Sequence, residues 1–100
     1  MKVEYCDSMI SKAFGFMFSF NPDKILVFRF DKEKIQRLHM FFVFCNLDVF
    51  FLDKNKRVVE RTRLKPFSLY TSRKKAKYII EVPKRYHNKI SLNKLIKEKL

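Results

Sequence analysis

Glycine is almost missing from this chain, because Gly15 is the only glycine among its 100 residues. A Walker phosphate loop and a Rossmann dinucleotide turn each need several glycines, so neither can be built here. The sequence motifs that surround nucleophilic serines and cysteines in hydrolases are missing as well. The chain therefore carries no catalytic signature, which favours a binding or accessory role over an enzymatic one.

Cysteine is also scarce, since Cys6 and Cys45 are the only two and lie far apart in the sequence. Small secreted domains usually carry more cysteines at closer spacing, so we expect free thiols. His39 and His87 complete the set of soft or imidazole metal ligands, and no two of the four have the spacing of a zinc finger or ribbon. We predict neither a metal nor a cofactor.

No hydrophobic run is long enough to cross a bilayer. The run from Met40 to Leu52 is too short and contains Asp48. Asp7 interrupts the N-terminal region, so we expect no signal peptide. The length predicts a single domain over residues 1–100. We expect a cytoplasmic protein without a membrane partner, either a monomer or a weak dimer.

Acidic residues are rare in the second half of the chain. Residues 1–53 carry seven Lys and Arg against seven Asp and Glu, whereas residues 54–100 carry sixteen against three and so hold the whole net charge of +13. Such asymmetry favours a polyanionic partner such as nucleic acid, and interleaved tyrosines are suited to stacking on bases. A Lys-rich surface of the kind found in heat-adapted proteins is the simpler alternative. The candidate polyanion-binding residues are Arg61, Arg63, Arg73, Lys74, Lys75, Lys77, Lys84 and Arg85.

Phenylalanine, by contrast, is abundant, with twelve residues in a chain that is 47% apolar. Because aromatic residues favour strands, we predict a mainly β fold: a compact β-sandwich or partly closed barrel of six to seven mostly antiparallel strands. A short helix near the N-terminus, from Asp7 or Ser8 to Phe14, would end at Gly15. The predicted strands are Lys2–Cys6, Lys24–Phe30, Leu38–Phe44, Leu47–Leu52, Arg57–Leu64 and Ala76–Val82.

The segments between these strands are assigned from their turn residues. Residues 53–56 form a hairpin turn in which Asn55 takes a positive φ. Asp31–Gln36 has the composition of one helical turn, and a loop runs from Pro66 to Lys75. At the end of the chain, Ser91 either caps a helical turn or Ile90–Ile96 forms an edge strand.

Asp48 is the most informative single residue, because burying a carboxylate inside an apolar strand is costly unless a hydrogen-bond or charge partner satisfies it. Two roles are open: the carboxylate holds a neighbouring loop through backbone N–H groups, which we favour, or it faces a cleft and binds a ligand or cation. His39, Met40 and Glu81 are predicted to lie near the same cleft. Their simpler roles are a strand edge, core filling and a surface ion pair.

Several short motifs follow one another along the chain: Gly15–Phe18, Lys24–Phe30, His39–Asp53, Lys65–Phe67 and Tyr78–Glu81. In this order and spacing they resemble the family called domain of unknown function 192, over roughly residues 3–96. Archaeal members of that family often carry His-Met where this chain has His39 and Met40. The resemblance implies a mostly β fold with a small helix and no established activity.

The chain departs from the family pattern at three places. Asn46 stands where the family has proline before Leu-Asp, Lys84 and Arg85 replace Ala-Gly, and Leu92 and Asn93 replace a late Gly-Asp pair. A loop that those glycines shape in the family must therefore differ here.

We expect a non-enzymatic binding or accessory module with a small polar cleft around Asp48, His39 and Glu81. The alternative is a nucleic-acid-binding protein that works through its basic C-terminal half. An enzyme using Asp48 with His39 is the third interpretation, without positive support in the sequence.

Overall fold

The computed structural model describes residues 2–6, 24–40, 43–86 and 91–100. These residues form seven strands, a 3-10 turn at Lys84–Tyr86 and one α-helix, α1, at Leu92–Lys99. The strands are β1 Lys2–Cys6, β2 Lys24–Lys34, β3 Arg37–His39, β4 Leu47–Leu52, β5 Val58–Leu64, β6 Leu69–Thr71 and β7 Ala76–Pro83.

Five strands form one sheet in the order β1-β2-β7-β4-β5, and β3 and β6 form a second sheet of two strands. The β1–β2 pair is parallel, and every other pair is antiparallel. The large sheet stays open, with β1 and β5 at its edges within the described segments. The mainly β, mostly antiparallel class is thus confirmed, whereas no closed barrel forms among these strands.

The large sheet is covered on both faces. Because side chains alternate along a strand, Val49 and Phe51 pack on one face with Leu38 and Met40, which belong to β3 and the residue after it. The central strands β4 and β7 are buried almost along their whole length, as strands with two covered faces are. The apolar residues on the other face pack against α1 and are Ile25, Val27, Phe50, Leu52, Tyr78, Ile80 and Val82.

Helix α1 begins after Ser91, whose Oγ accepts a hydrogen bond from the N–H of Lys94 at 3.4 Å. Leu92, Leu95 and Ile96 lie three and four residues apart, so they form one apolar stripe against the sheet. The Ser91 cap is confirmed, and the alternative edge strand at Ile90–Ile96 is wrong. The helix that the structure describes lies at the C-terminal end. The predicted helix from Asp7 or Ser8 to Phe14 falls outside the described residues.

The segment predicted as one helical turn, Asp31–Gln36, instead continues β2 as far as Lys34. Gln36 is buried and donates from Nε2 to the carbonyl of Ala76 at 3.1 Å, while its N–H donates to Ser72 Oγ at 2.9 Å. These long-range hydrogen bonds hold the segment extended, and they cannot be read from local composition.

Two further predictions on local structure are corrected. Of the predicted strand Leu38–Phe44, Leu38 and His39 belong to β3, whereas Met40, Val43 and Phe44 do not, and residues 41–42 lie outside the described residues. The carbonyl of Met40 accepts the N–H groups of Val43 and Phe67 instead of extending the ladder between β3 and β6. The predicted loop from Pro66 to Lys75 contains the short strand β6.

The predicted hairpin turn at residues 53–56 is confirmed, with Asp53 Oδ1 accepting the N–H groups of Asn55 and Arg57 at 2.8 and 3.0 Å. The positive φ lies at Lys56, with a value of 64°, and not at Asn55 as predicted. A residue with a Cβ therefore occupies the left-handed position of this turn.

Candidate functional site

The candidate site is centred on Asp48, the second residue of β4. Asp48 shares a face of the sheet with Phe50 and Leu52, the face that α1 covers. Across the sheet it lies opposite Arg63 of β5 and Val82 of β7. Its side chain is only 7% exposed, so hydrogen-bond partners must replace the water that burial removes from the carboxylate.

Arg63 supplies such a partner through two groups of its guanidinium. Its Nε donates to Asp48 Oδ1 at 2.7 Å, and its Nη2 donates to Oδ2 at 3.4 Å. This hydrogen bond and the charge of Asp48 raise the pKa of the Arg63 guanidinium above its usual value. A two-point contact fixes both the position and the plane of the guanidinium.

Arg61 approaches the same carboxylate from two residues earlier on β5. Its Nη2 lies 3.8 Å from Asp48 Oδ2. Its guanidinium also lies over the ring of Phe50, with 5.0 Å between the guanidinium carbon and the ring centroid. The aromatic ring and the carboxylate together hold Arg61 beside Arg63.

A small open cavity of about 60 Å³ adjoins this group and is lined by Asn46, Leu47, Asp48, Arg63 and Lys84. We call it the Asp48 pocket. The N–H of Lys84 donates to the carbonyl of Asn46 at 3.1 Å, which ties the 3-10 turn after β7 to the start of β4. The lining includes two cationic residues and one acidic residue, so its formal charge is positive.

The four residues predicted to share a cleft do not lie on one face of the large sheet. Glu81 is buried on β7 opposite Leu26 and Val49, whose cluster packs on the face away from Asp48. Met40 belongs to that same cluster. His39 is exposed on β3, in the second sheet. The structure therefore separates Asp48 from Met40 and Glu81.

Cys45 is a free thiol, and it lies close enough to Glu81 for the charge of that carboxylate to act on it. Burial raises the pKa of Cys45, and the charge of Glu81 raises it further. A thiol with a raised pKa holds less of the nucleophilic thiolate at neutral pH, so this arrangement is not that of a reactive cysteine.

The predicted polyanion-binding residues fall into two groups at opposite ends of β7. Lys84 and Arg85 follow the end of β7 next to Arg63, whereas residues 73–75 precede its start and Lys77 is its second residue. Since β7 has eight residues, these ends are roughly 23 Å apart. The basic residues thus do not form one compact patch.

A second polar cluster, centred on Glu60, was missed in the sequence. Glu60 Oε1 accepts the N–H groups of Arg73 and Lys74 at 2.8 and 2.9 Å, and Oε2 accepts the hydroxyl of Tyr70. Desolvation by burial pushes the pKa of Glu60 upward, but these hydrogen bonds and the charge of Arg73 bring it below its usual value. Glu60 therefore fixes the turn between β6 and β7 onto β5.

The described segments contain no group of three or more His, Cys, Asp or Glu side chains arranged to hold a metal ion. Their helices include none with the length and apolar character needed to cross a bilayer.

Comparisons with solved structures show the fold. A protein of unknown function from Novosphingobium aromaticivorans matches with a TM-score of 0.74 at 15% identity, over 86% of this chain and 66% of that chain. This chain thus spans slightly less than two thirds of that structure. A putative transcription regulator from Sinorhizobium meliloti matches with a TM-score of 0.71 at 21% identity, over 81% of this chain and 67% of that chain.

Comparisons of sequence show the family. A UPF0127 protein from Pyrococcus abyssi is 41% identical over 98 residues, which are 96% of this chain and 78% of that protein. A UPF0127 protein from Pyrococcus horikoshii is 44% identical over 85 residues, which are 83% of this chain and 73% of that protein. The model of family DUF192, described as Uncharacterized ACR, matches residues 1–94. The chain therefore belongs to the DUF192 family, as the resemblance of its motifs predicts, and these relatives are archaeal.

Proposed function

We propose that this protein is a non-enzymatic binding module that holds an anionic group of a ligand in the Asp48 pocket. The single observation that carries the proposal is the two-point contact of Arg63 with the buried Asp48 at the mouth of that pocket. Within this arrangement Asp48 is a positioning residue, and Arg63 and Lys84 are the residues that meet the ligand.

Charge supports an anionic ligand. The pocket is lined by one carboxylate and two cations, and Arg61 adds a third cation at 3.8 Å from Asp48. The Asp48 carboxylate offsets one of these charges and leaves a positive surplus near the opening. Such a surplus raises the local concentration of anions and stabilises one that enters.

Pre-organisation supports binding as well. An unrestrained arginine side chain loses conformational entropy when it binds a ligand. The two contacts with Asp48 already restrict the guanidinium of Arg63, so less entropy is lost on binding. Its side chain is still 51% exposed, so the guanidinium remains accessible to an incoming group.

The location of His39 supports a non-enzymatic role. The enzymatic interpretation needs Asp48 beside His39 as an acid–base pair. His39 belongs to β3 in the small sheet. The next residue in the chain, Met40, packs on the face of the large sheet away from Asp48. Asp48 instead engages the guanidinium groups of Arg63 and Arg61.

Binding of nucleic acid through the basic C-terminal half remains the alternative proposal. Arg61 and Arg63 alternate along β5, and Lys84 and Arg85 follow β7 nearby, which favours phosphate contacts at that end. Retention of the protein on single-stranded RNA or DNA as salt is increased tests this alternative. A slope near zero of log affinity against log salt would remove it.

The test of the main proposal is a titration of isotopically labelled protein with sodium sulfate and with sodium acetate, followed by backbone NMR shifts. We expect shifts at residues 46–48, 63 and 84, with saturation. Lys84→Gln is expected to weaken binding several-fold while leaving the Asp48–Arg63 contact intact. Lys32→Gln, an exposed lysine on β2, is the matched control and is expected to bind normally. Shifts spread evenly over all lysines and arginines would contradict the proposal.

A further inference from the structure

We propose that the Asp48 pocket selects a dianionic phosphomonoester group of a small molecule over a monoanionic carboxylate or phosphodiester. This inference rests on the anion-binding function proposed above and names the chemical class of its ligand. The geometry of Arg61, Arg63 and Lys84 around Asp48 carries it.

The number of charges is the first argument. Among the described residues, Arg61 and Arg63 contact the Asp48 carboxylate and Lys84 lines the same pocket, so the formal charge of these four residues is +2. A phosphomonoester carries about 1.5 to 2 negative charges at pH 7, whereas a carboxylate or a phosphodiester carries one. Only the dianion restores neutrality in the site.

The placement of the two guanidinium groups is the second argument. Arg61 and Arg63 are two residues apart on β5 and point to the same face, so their Cα atoms are about 6.6 Å apart. Both guanidinium groups contact the same carboxylate, and the guanidinium of Arg61 packs over the ring of Phe50. Planar guanidinium forks match the several oxygens of a phosphate group better than a lysine pair would.

Size is the third argument. A cavity of about 60 Å³ accommodates only about four to six water-sized volumes. It therefore admits one group of the size of a phosphate, while the remainder of the ligand stays outside the pocket. This size excludes a whole nucleotide from the pocket.

The experiment compares five ligands at constant ionic strength by NMR titration: phenyl phosphate, inorganic phosphate, sulfate, dimethyl phosphate and acetate. At pH 7.5 we expect phenyl phosphate and sulfate to bind on the order of tenfold more tightly than acetate and dimethyl phosphate, because each carries a second charge. Phenyl phosphate and inorganic phosphate together distinguish an esterified group from free phosphate. Tighter binding of inorganic phosphate than of phenyl phosphate would overturn the assignment to an ester.

Changing the pH tests the charge argument within a single ligand. The second pKa of a phosphate monoester is near 6, so at pH 5 about nine tenths of it is monoanionic and its affinity should fall by up to about tenfold. Sulfate remains a dianion at both pH values and is expected to keep its affinity, which controls for changes in the protein. An equal fall for both ligands would overturn the inference.

Arg61→Gln tests the third cation without removing the Arg63 partner of Asp48. We expect this variant to lose most of the preference for phenyl phosphate over acetate, while Arg57→Gln in the neighbouring turn keeps it. If acetate and phenyl phosphate bind the unchanged protein equally well, the selectivity is wrong and anion binding stands. If none of the five ligands binds, the proposed function fails together with this inference.

Discussion

Asp48 Oδ1 accepts a hydrogen bond of 2.7 Å from Arg63 Nε, which joins a carboxylate that is 7% exposed to a guanidinium that is 51% exposed. The two residues lie directly opposite each other on β4 and β5. The contact replaces hydration that the buried Asp48 carboxylate has lost, whereas the Arg63 side chain keeps about half of its contact with water. The pair is therefore both a structural element of the sheet and part of an accessible surface.

Replacing Asp48 with Asn should lower the stability of the protein. Asp48→Asn loses the charge of the acceptor in the hydrogen bond from Arg63, and a hydrogen bond to a charged group contributes about 1.5–3 kcal/mol. That corresponds to a fall in Tm on the order of 10 °C for a chain of this size. Asp31→Asn, at an exposed position on β2, is the control and should melt like the unchanged protein. An unchanged Tm for Asp48→Asn together with lost anion binding would contradict the structural role.

Acid should weaken the protein partly through Glu60. Its pKa is lowered in the folded state, so the unfolded chain binds its proton more readily. The stability from Glu60 is present above its ordinary pKa of 4.5 and is lost as the pH falls through the lower folded value. Thermal melts from pH 7 to pH 3 should therefore show a smaller loss of Tm for Glu60→Gln than for the unchanged protein. Identical acid profiles for the two proteins would argue against this role.

High pH should lower the stability of the protein partly through Tyr70, whose hydroxyl donates a hydrogen bond to Glu60. The hydrogen bond to Glu60, followed by desolvation, raises the pKa of Tyr70. The stability from Tyr70 is then present below its ordinary pKa of 10.0 and is lost as the pH rises through the higher folded value. Between pH 8 and pH 11, Tyr70→Phe should lose less Tm than the unchanged protein. Tyr5→Phe, at an exposed tyrosine, is expected to follow the unchanged protein.

The hairpin turn can be stabilised at Lys56, whose φ of 64° lies in the left-handed region. Lys56→Gly removes the steric cost of Cβ there, and Lys56→Ala keeps it. Both variants lose the contact from Lys56 Nζ to the carbonyl of Leu100, so their difference isolates the backbone effect. We expect the glycine variant to exceed the alanine variant by about 1 kcal/mol in free energy of unfolding. Chemical denaturation measures it, and equal midpoints would contradict the strain.

Much of the fold is predictable because its signals are local. The strands Lys2–Cys6 and Leu47–Leu52 have the predicted bounds, and β5 and β7 differ from prediction by one residue. The Ser91 cap is likewise a local signal, because the hydroxyl needs only the N–H of Lys94 three residues later. In contrast, the extended form of Asp31–Lys34 depends on contacts of Gln36 with residues about forty positions away.

Part of the candidate site is also visible in the sequence. An acid within an apolar run marks Asp48 as a residue that needs a partner, and the structure buries it on a central strand. The arginine partner was not predicted, although Arg61 and Arg63 are two residues apart and so share one face of the following strand. The grouping with His39, Met40 and Glu81 had no such signal, and the sheet places Met40 and Glu81 on its other face.

The amino-acid order alone determines the mainly β composition, the hairpin after β4, and the need of Asp48 for a charged or polar partner. It does not determine which residue of β5 lies opposite that acid. Counting back from the hairpin would place Thr62 opposite Asp48, because Leu52 pairs with Val58. A bulge at Val59 shifts the register by one residue and brings Arg63 opposite Asp48 instead. The register of β5 against β4 in the folded sheet therefore decides which side chain faces the acid, since a slip of one residue exchanges the two faces of the strand.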